Sequence, residues 1–328
     1  MKNNIRISGY QTGHVQGIAQ DREGNIYISF TTCLVKVAPD GTVIGSVKGL
    51  AGHLGCIAYR QEDGRIYGSL EYKHDIIGRN ILKNIGQSID IQDGFYIAIF
   101  DGTKITRMDM DAEKDGIMTA VHLKEVLEDY QAPGHRYGCS GIDGVTFAPL
   151  PGAEGGRYDL YVAYGIYGDE TREDNDDQII LRYDISEWEQ FERPLNQQDM
   201  HRCGPEKPDG KYHVFTGNTT YGIQNLEYDA ETNCLFAAVY PGTKSQYPNY
   251  PMFVIDLSQD GANLPLAKHG SCHAPTGIYG YRFPYGATGM ISLGSGDFCF
   301  SRDFHEEEGF GTELGLYRFE KGQGFFEI

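Results

Sequence analysis

The chain has 328 residues and a formal net charge of −18, a field that repels nucleic acid and anionic membrane and excludes both as partners. It is 40% hydrophobic and 12% aromatic, with 43 Gly, 23 Tyr and a single Trp, which suits many short strands and tight turns within one domain spanning residues 1–328. No apolar run is long enough to cross a membrane as a helix, and no secretory leader is recognisable after Met1, so a cytoplasmic location is expected.

In chain order, "IRISGY" (5–10) reads as a strand. "GHVQGIAQDREGNIYISF" (13–30) follows, with strands at Ile18–Gln20 and Asn25–Phe30 joined by the turn residues Asp21-Arg22-Glu23-Gly24. A third strand at Leu34–Ala38, the turn Pro39-Asp40-Gly41 and a fourth strand at Thr42–Val47 complete one small sheet. Such a sheet cannot bury its faces alone, so the unit must recur. "GHLGCIAYRQEDGRIYGSLE" (52–71) repeats the opening phrase, and looser copies begin at Gly141, Tyr221 and Tyr285. Third strands follow at "FYIAIFDGTKI", "QIILRYDI", "PMFVIDL" and "LGLYRFE". Met118–Leu123, His213–Gly217, Leu264–Lys268 and Phe325–Ile328 are the expected fourth strands. "LKEVLED" (123–129) and "ISEWEQF" (185–191) are the expected helices, both in inserts between strands. The repeats predict an all-β fold, a five-bladed β-propeller of four-stranded antiparallel blades, with the N-terminal strand closing the ring against the last blade.

The cysteines at 33, 56, 139, 203, 234, 272 and 299 contain no Cys-x-x-Cys pair and read as small core residues. Length varies mainly in the loops that lead into each first strand and in the second-to-third connections (71–94, 165–177, 240–251 and 302–313). Both sets lie on one face of a propeller, here called the upper face, so that face is the functional candidate and the largest polar pocket is expected at its channel mouth. The leading loops bring His14 with Gln16, His53, His135, and His269 with His273 to that face, while the remaining one contributes Tyr221, Gln224 and Asn225. Aligned first strands place Gln16, Gly55, Asp143, Gln224 and Thr288 at one ring position.

Convergent imidazoles with a Gln suit a divalent metal, with His14, Gln16 and His53 as the expected ligands, or proton transfer. His14 and His53 read equally as repeat residues bonded to the neighbouring blade. Asp143, His135, Tyr221 and His273 are the candidate catalytic residues, and Asp143 also reads as a turn cap. Gln224, Asn225, Lys244, Arg282, Tyr285 and His74 are the candidate substrate contacts. Among these, Arg282 beside Phe283 and Tyr285 offers a guanidinium and aromatic faces for a sugar or sugar acid. The expected partner is thus a small-molecule or oligosaccharide ligand. The alternative is a non-catalytic propeller serving as a ligand-binding or protein-interaction scaffold.

The phrase "GIAQDREGNIYISF…LVKVAPDGTVIGSV" resembles the blades of NHL-repeat and gluconolactonase-like propellers. That resemblance implies a propeller and, for the gluconolactonase-like enzymes, a divalent cation held in the channel by a Glu at the entrance of the first blade with Asn and Asp from later blades. Gln16 stands at that entrance here. Five-bladed glycoside hydrolases use inward carboxylates, for which Asp143 is the candidate. Propeller lyases of uronic-acid sugars hold a metal by His and Gln. The expectation is a hydrolase or lyase acting on a sugar or sugar acid.

Overall fold

The structure is a computed structural model and describes residues 5–86, 91–153, 156–258 and 277–328. His269, Cys272, His273 and the strand expected at 264–268 lie outside the described residues. Blade 1 is built from β2 (Val15–Gln20), β3 (Ile26–Phe30), β4 (Cys33–Val37) and β5 (Val43–Lys48). Blade 2 holds β6 (His53–Arg60), β7 (Arg65–Tyr72), β8 (Gly94–Phe100) and β10 (Met118–His122). Blade 3 holds β11 (Cys139–Ala148), β12 (Asp159–Ile166), β13 (Asp177–Tyr183) and β14 (Gly210–Phe215). Blade 4 holds β15 (Thr219–Asp229), β16 (Cys234–Pro241), β17 (Met252–Asp256) and β18 (Ile278–Tyr281). Blade 5 holds β19 (Met290–Gly294), β20 (Asp297–Glu306) and β21 (Gly309–Glu320). On its outer side β1 (Arg6–Tyr10) pairs the first half of β21 and β22 (Gly324–Glu327) the second, so both ends of the chain share the fourth position. This is the ring closure expected from the first strand.

Strand alternation explains how the blades stack. Along β8, Phe95, Ile97 and Ile99 point into the core shared with blade 3, while Tyr96, Ala98 and Phe100 point into the core shared with blade 1. Along β16, Leu235, Ala237 and Val239 face blade 3, whereas Cys234, Phe236 and Ala238 face blade 5. Side chains two residues apart share a face, so a strand buried on both faces needs an unbroken apolar run. The fifth and last pair of blades, 5 and 1, meets through Ile7, Ile291 and Leu314 against Val15, Ile28 and Val35. Five of the cysteines, 33, 56, 139, 234 and 299, are buried free thiols in these layers.

Some expectations change. The fourth strand of blade 4 is β18. The segment 302–313, expected as a loop, continues a long hairpin whose strands break only at Glu307 and Glu308. Helix α1 (Ile76–Asn84) occupies part of the second-to-third connection of blade 2, and Asp75 caps it by accepting from Gly78 N. Helix α2 (Lys124–Gln131) forms as expected, but "ISEWEQF" makes only a 3-10 turn at Trp188–Gln190. Each long third-to-fourth insert reaches back one blade. β9 (Met110–Asp111), from blade 2, pairs in parallel with β5 of blade 1. Gln197, from blade 3, bonds Gly49 O, Ala51 N and Glu113. No helix among the described residues is long and apolar enough to cross a membrane.

Candidate functional site

The upper mouth of the channel is shaped by irregularities in the innermost strands. Pairing skips a residue or more between Val15 and Gly17, Leu54 and Ile57, Ile142 and Val145, and Ile223 and Asn225. These shifts fall at Gln16, Gly55, Asp143 and Gln224, so the aligned ring position is a bulge position, where a strand re-aims a side chain. Second-strand serines hold two of the bulges from the preceding blade. Ser29 Oγ donates to Gly55 O at 2.7 Å and Ser69 Oγ to Asp143 O at 2.7 Å. Both serines come from the repeated phrase Ile-Tyr-x-Ser.

The ionisable centre lies between blades 2 and 3. His53 Nδ1 is 3.6 Å from Glu71 Oε1 and 3.6 Å from Asp143 Oδ1. Asp143 Oδ2 accepts from Gln224 Nε2 at 3.3 Å, while Glu71 Oε2 accepts from Ile142 N at 3.0 Å. Lys73 pairs with Glu71 and donates to Ser140 O at 2.9 Å. The packing here is close: Gly141 (φ +135) lies so near Glu71 that an added Cβ would be 1.9 Å from Oε2. Two atoms at the centre, His53 Nδ1 and Asp143 Oδ1, have no hydrogen-bond partner among the described residues. Buried polar atoms are normally satisfied, so this pair faces a missing donor and acceptor.

Burial sets the protonation states. Desolvation raises the Asp143 carboxyl well above the usual carboxylate range, with the Glu71 charge adding to it, a shift that favours the protonated form. Desolvation also lowers His53 to about 3, helped by the Lys73 ammonium and by His14, so the imidazole is neutral. Glu71 is raised by burial against the pull of Lys73. His14, whose Nε2 lies 3.3 Å from Gln16 Nε2 and 3.4 Å from Tyr240 OH, is lowered by burial against the charge of Asp303.

The other expected residues are spread out. Asn225 spends its amide on Gln16 O and Ala287 O, both at 2.8 Å, and so ties innermost strands across the channel. Lys244 is buried and held by Asp176 Oδ1 at 2.6 Å and Asn175 Oδ1 at 3.1 Å between blades 3 and 4. His135 packs against Tyr130 and Tyr167, tilted to one and edge-on to the other, with ring centroids 4.8 and 5.3 Å away. His74 pairs with Asp93 at 3.0 Å, outside the channel. Tyr221 has φ 65 and an exposed ring, and only its carbonyl touches Gln224. Arg282 lies over Tyr250 and donates to Pro248 O, whereas Tyr285 packs on Phe283 and Tyr317. Lys73 and Tyr240 are absent from the expected set. The only signal for Lys73 is its position two residues after Glu71, at the end of a strand longer than the repeat suggests.

The resemblance implies a divalent cation. As it stands, the expected set does not fit one: both ring nitrogens of His14 face the Gln16 amide nitrogen, and His53 has the Lys73–Glu71 pair beside it. Among the described residues no group of three His, Cys, Asp or Glu side chains is placed to hold a metal, and no step below runs through one. Two cavities lie away from the upper mouth, where the largest was expected. A groove of about 750 Å³ runs between the second-to-third connections of blades 3 and 4, past Arg172 and Lys244. A cavity of about 520 Å³ opens at the lower mouth, lined from all five blades.

Sheet topology and ring closure define the chain as a five-bladed β-propeller. No protein-family model matches it, and no curated protein does. Solved structures similar to it include a luciferin-regenerating enzyme (11% identity, 99% of this chain and 98% of that one, TM-score 0.42). Others are the glutaminyl cyclase of Myxococcus xanthus (11% identity, 95% and 94%, TM-score 0.40) and a gluconolactonase-like protein (12% identity, 92% and 73%, TM-score 0.38). These likenesses are loose, and the fold rests on the chain's own sheets.

Proposed function

We propose that the upper mouth is an acid/base site for a small, neutral, hydroxyl-rich ligand of the sugar or sugar-lactone type. Asp143 is the proton donor and His53 the acceptor. The observation that supports this reading is the pair of unpartnered atoms, Asp143 Oδ1 and His53 Nδ1, 3.6 Å apart at the channel mouth. A ligand hydroxyl beside the line joining them reaches both at ordinary hydrogen-bond distance.

The charge state favours a neutral ligand over a sugar acid. His53 is uncharged near neutrality, burial favours the protonated form of Asp143, and Lys73 is already paired with Glu71. Arg282 and Lys244, which could have paired a ligand carboxylate, are engaged elsewhere. Gln224 orients the Asp143 carboxyl, and Gln16, Tyr240 and Thr288 supply further polar contacts around the mouth. Hydrolysis or elimination at a sugar ring both need a proton delivered to a departing oxygen, which is what a carboxyl held protonated provides.

The test is turnover of a panel of sugar lactones and neutral glycosides, followed by proton release or reducing ends, in wild type and in the Asp143→Asn and His53→Gln variants. Loss of about 10²-fold or more in kcat in each variant, with ligand-induced thermal stabilisation retained in Asp143→Asn, supports acid/base catalysis. Binding without turnover in the wild type would make the propeller a ligand-binding module. Unchanged turnover in both variants would overturn the reading.

A further inference from the structure

We propose that the lower mouth of the channel is a second ligand site, separate from the upper one, and that it takes a small organic cation of the quaternary or primary ammonium type. The cavity there, about 520 Å³, is of small-molecule size and receives residues from all five blades. Its walls carry four aromatic rings, Tyr59, Phe147, Tyr158 and Tyr228, and the last two meet edge-on at 5.4 Å. Rings present a negative face to a cation, and several rings around one space form the usual cage for an ammonium group. Among the described residues no Lys, Arg or His lines the cavity, whereas Asp21, Glu62 and Glu227 do.

The carboxyl that faces the cavity without a cation is Glu227. Its Oε1 accepts from Ser292 N at 2.8 Å, but Oε2 has only Thr146 Oγ1 at 3.5 Å, a long contact. Glu62, by contrast, already lies 3.5 Å from Arg60, and Asp21 is satisfied by Asn25 N, Asn25 Nδ2 and Tyr27 OH. Arg22, at the rim, donates to Gln61. The titratable groups around Glu227 are Asp229 on its own strand, Asp21 from blade 1, Glu62 and the buried Cys56 thiol from blade 2, and Tyr59, Tyr158 and Tyr228. With no positive charge among them, desolvation pushes Glu227 up to about 8, and Asp229 adds to the rise. A cation in the cavity would hold the charged form, so binding is coupled to proton loss from Glu227 and strengthens as pH rises through that value.

The experiment compares choline with its uncharged isostere 3,3-dimethylbutan-1-ol by calorimetric or NMR titration of the full chain at pH 6.5 and pH 9. The expected result is at least about ten-fold tighter binding of choline, with its affinity rising between the two pH values in wild type but not in Glu227→Gln. Tyr158→Leu, which leaves the carboxyl in place, should weaken choline several-fold. Asp143→Asn should leave choline binding unchanged, so failure at the upper mouth does not affect this outcome. Equal affinity for the two probes, no binding of choline, or an unaltered response in both Glu227→Gln and Tyr158→Leu would overturn the proposal.

Discussion

Burying an imidazole in its neutral form ties stability to pH. His53 and His122 are both lowered to about 3 from 6.5, first by desolvation and then by Lys73 beside one and Arg202 beside the other. Between those values the unfolded chain binds more protons than the folded one, so their contribution is complete above pH 6.5 and is lost as pH falls. The raised carboxyl of Glu227 acts in the opposite sense. The folded state keeps its proton from 4.5 up to about 8, so its contribution is present at low pH and lost as pH rises through that window. Urea midpoints measured from pH 4.5 to 8.5 should therefore fall less on the acid side for His53→Gln than for wild type, and less on the alkaline side for Glu227→Gln. Gly141 makes a separate prediction. Its φ of +135 and the closeness of Glu71 Oε2 leave no room for a methyl group, so Gly141→Ala should cost about 2 kcal/mol or more in denaturant stability. Asp143 could be picked from sequence because a carboxylate between glycines stood at a recurring position. Lys73 could not, because its role depends on the partner beneath it in blade 3.

Among the elements, the repeat carries its own fastening. In blades 1 and 2 the Ile-Tyr-x-Ser phrase sets the Tyr hydroxyl on an Asp of the preceding turn, Tyr27 on Asp21 at 3.0 Å and Tyr67 on Asp63 at 2.6 Å. The same phrase sets the Ser hydroxyl on the next blade's bulge. Ser69→Ala would leave the buried Asp143 carbonyl without that donor, an expected loss of about 1–2 kcal/mol in the denaturation free energy, and should lower turnover at the upper mouth because the bulge positions the carboxyl. The blade 3 insert is fastened differently, by Glu192 on Arg65, a backbone bridge between Arg193 and Ala120, and Gln197. Gln197 is buried and bridges blades 1 and 2 through Gly49, Ala51 and Glu113. Gln197→Leu should loosen this insert next to residue 197 and speed its proteolytic cleavage there, read by timed digestion, while the propeller itself remains folded. Neither this clamp nor helix α1 was legible in the sequence. Both lie in long connections with weak periodicity, where contacts made after folding decide the local structure.

For the whole molecule, the ring stands or falls with its closure. β1 arrives from the far end of the sequence to pair with β21, and Ile7 is buried between blades 5 and 1. Ile7→Asp places an unpaired charge in that layer and should cost about 3–5 kcal/mol, seen as a large drop in melting temperature with exposure of the β21 edge. The five first-strand phrases, the two-residue alternation and the turn residues between strands were enough by themselves to determine the number of blades, the antiparallel order and the shared ring position of Gln16, Asp143 and Gln224. These are local signals: each depends on a residue's neighbours within one strand or hairpin. Tertiary structure alone decided which ionisable groups meet, because His53, Glu71, Asp143 and Gln224 come from three blades and are neighbours only once the ring is closed. It also decided their protonation, since desolvation depends on what the other blades bring. And it put Glu227 with four aromatic rings around a lower cavity, a grouping that no single repeat contains.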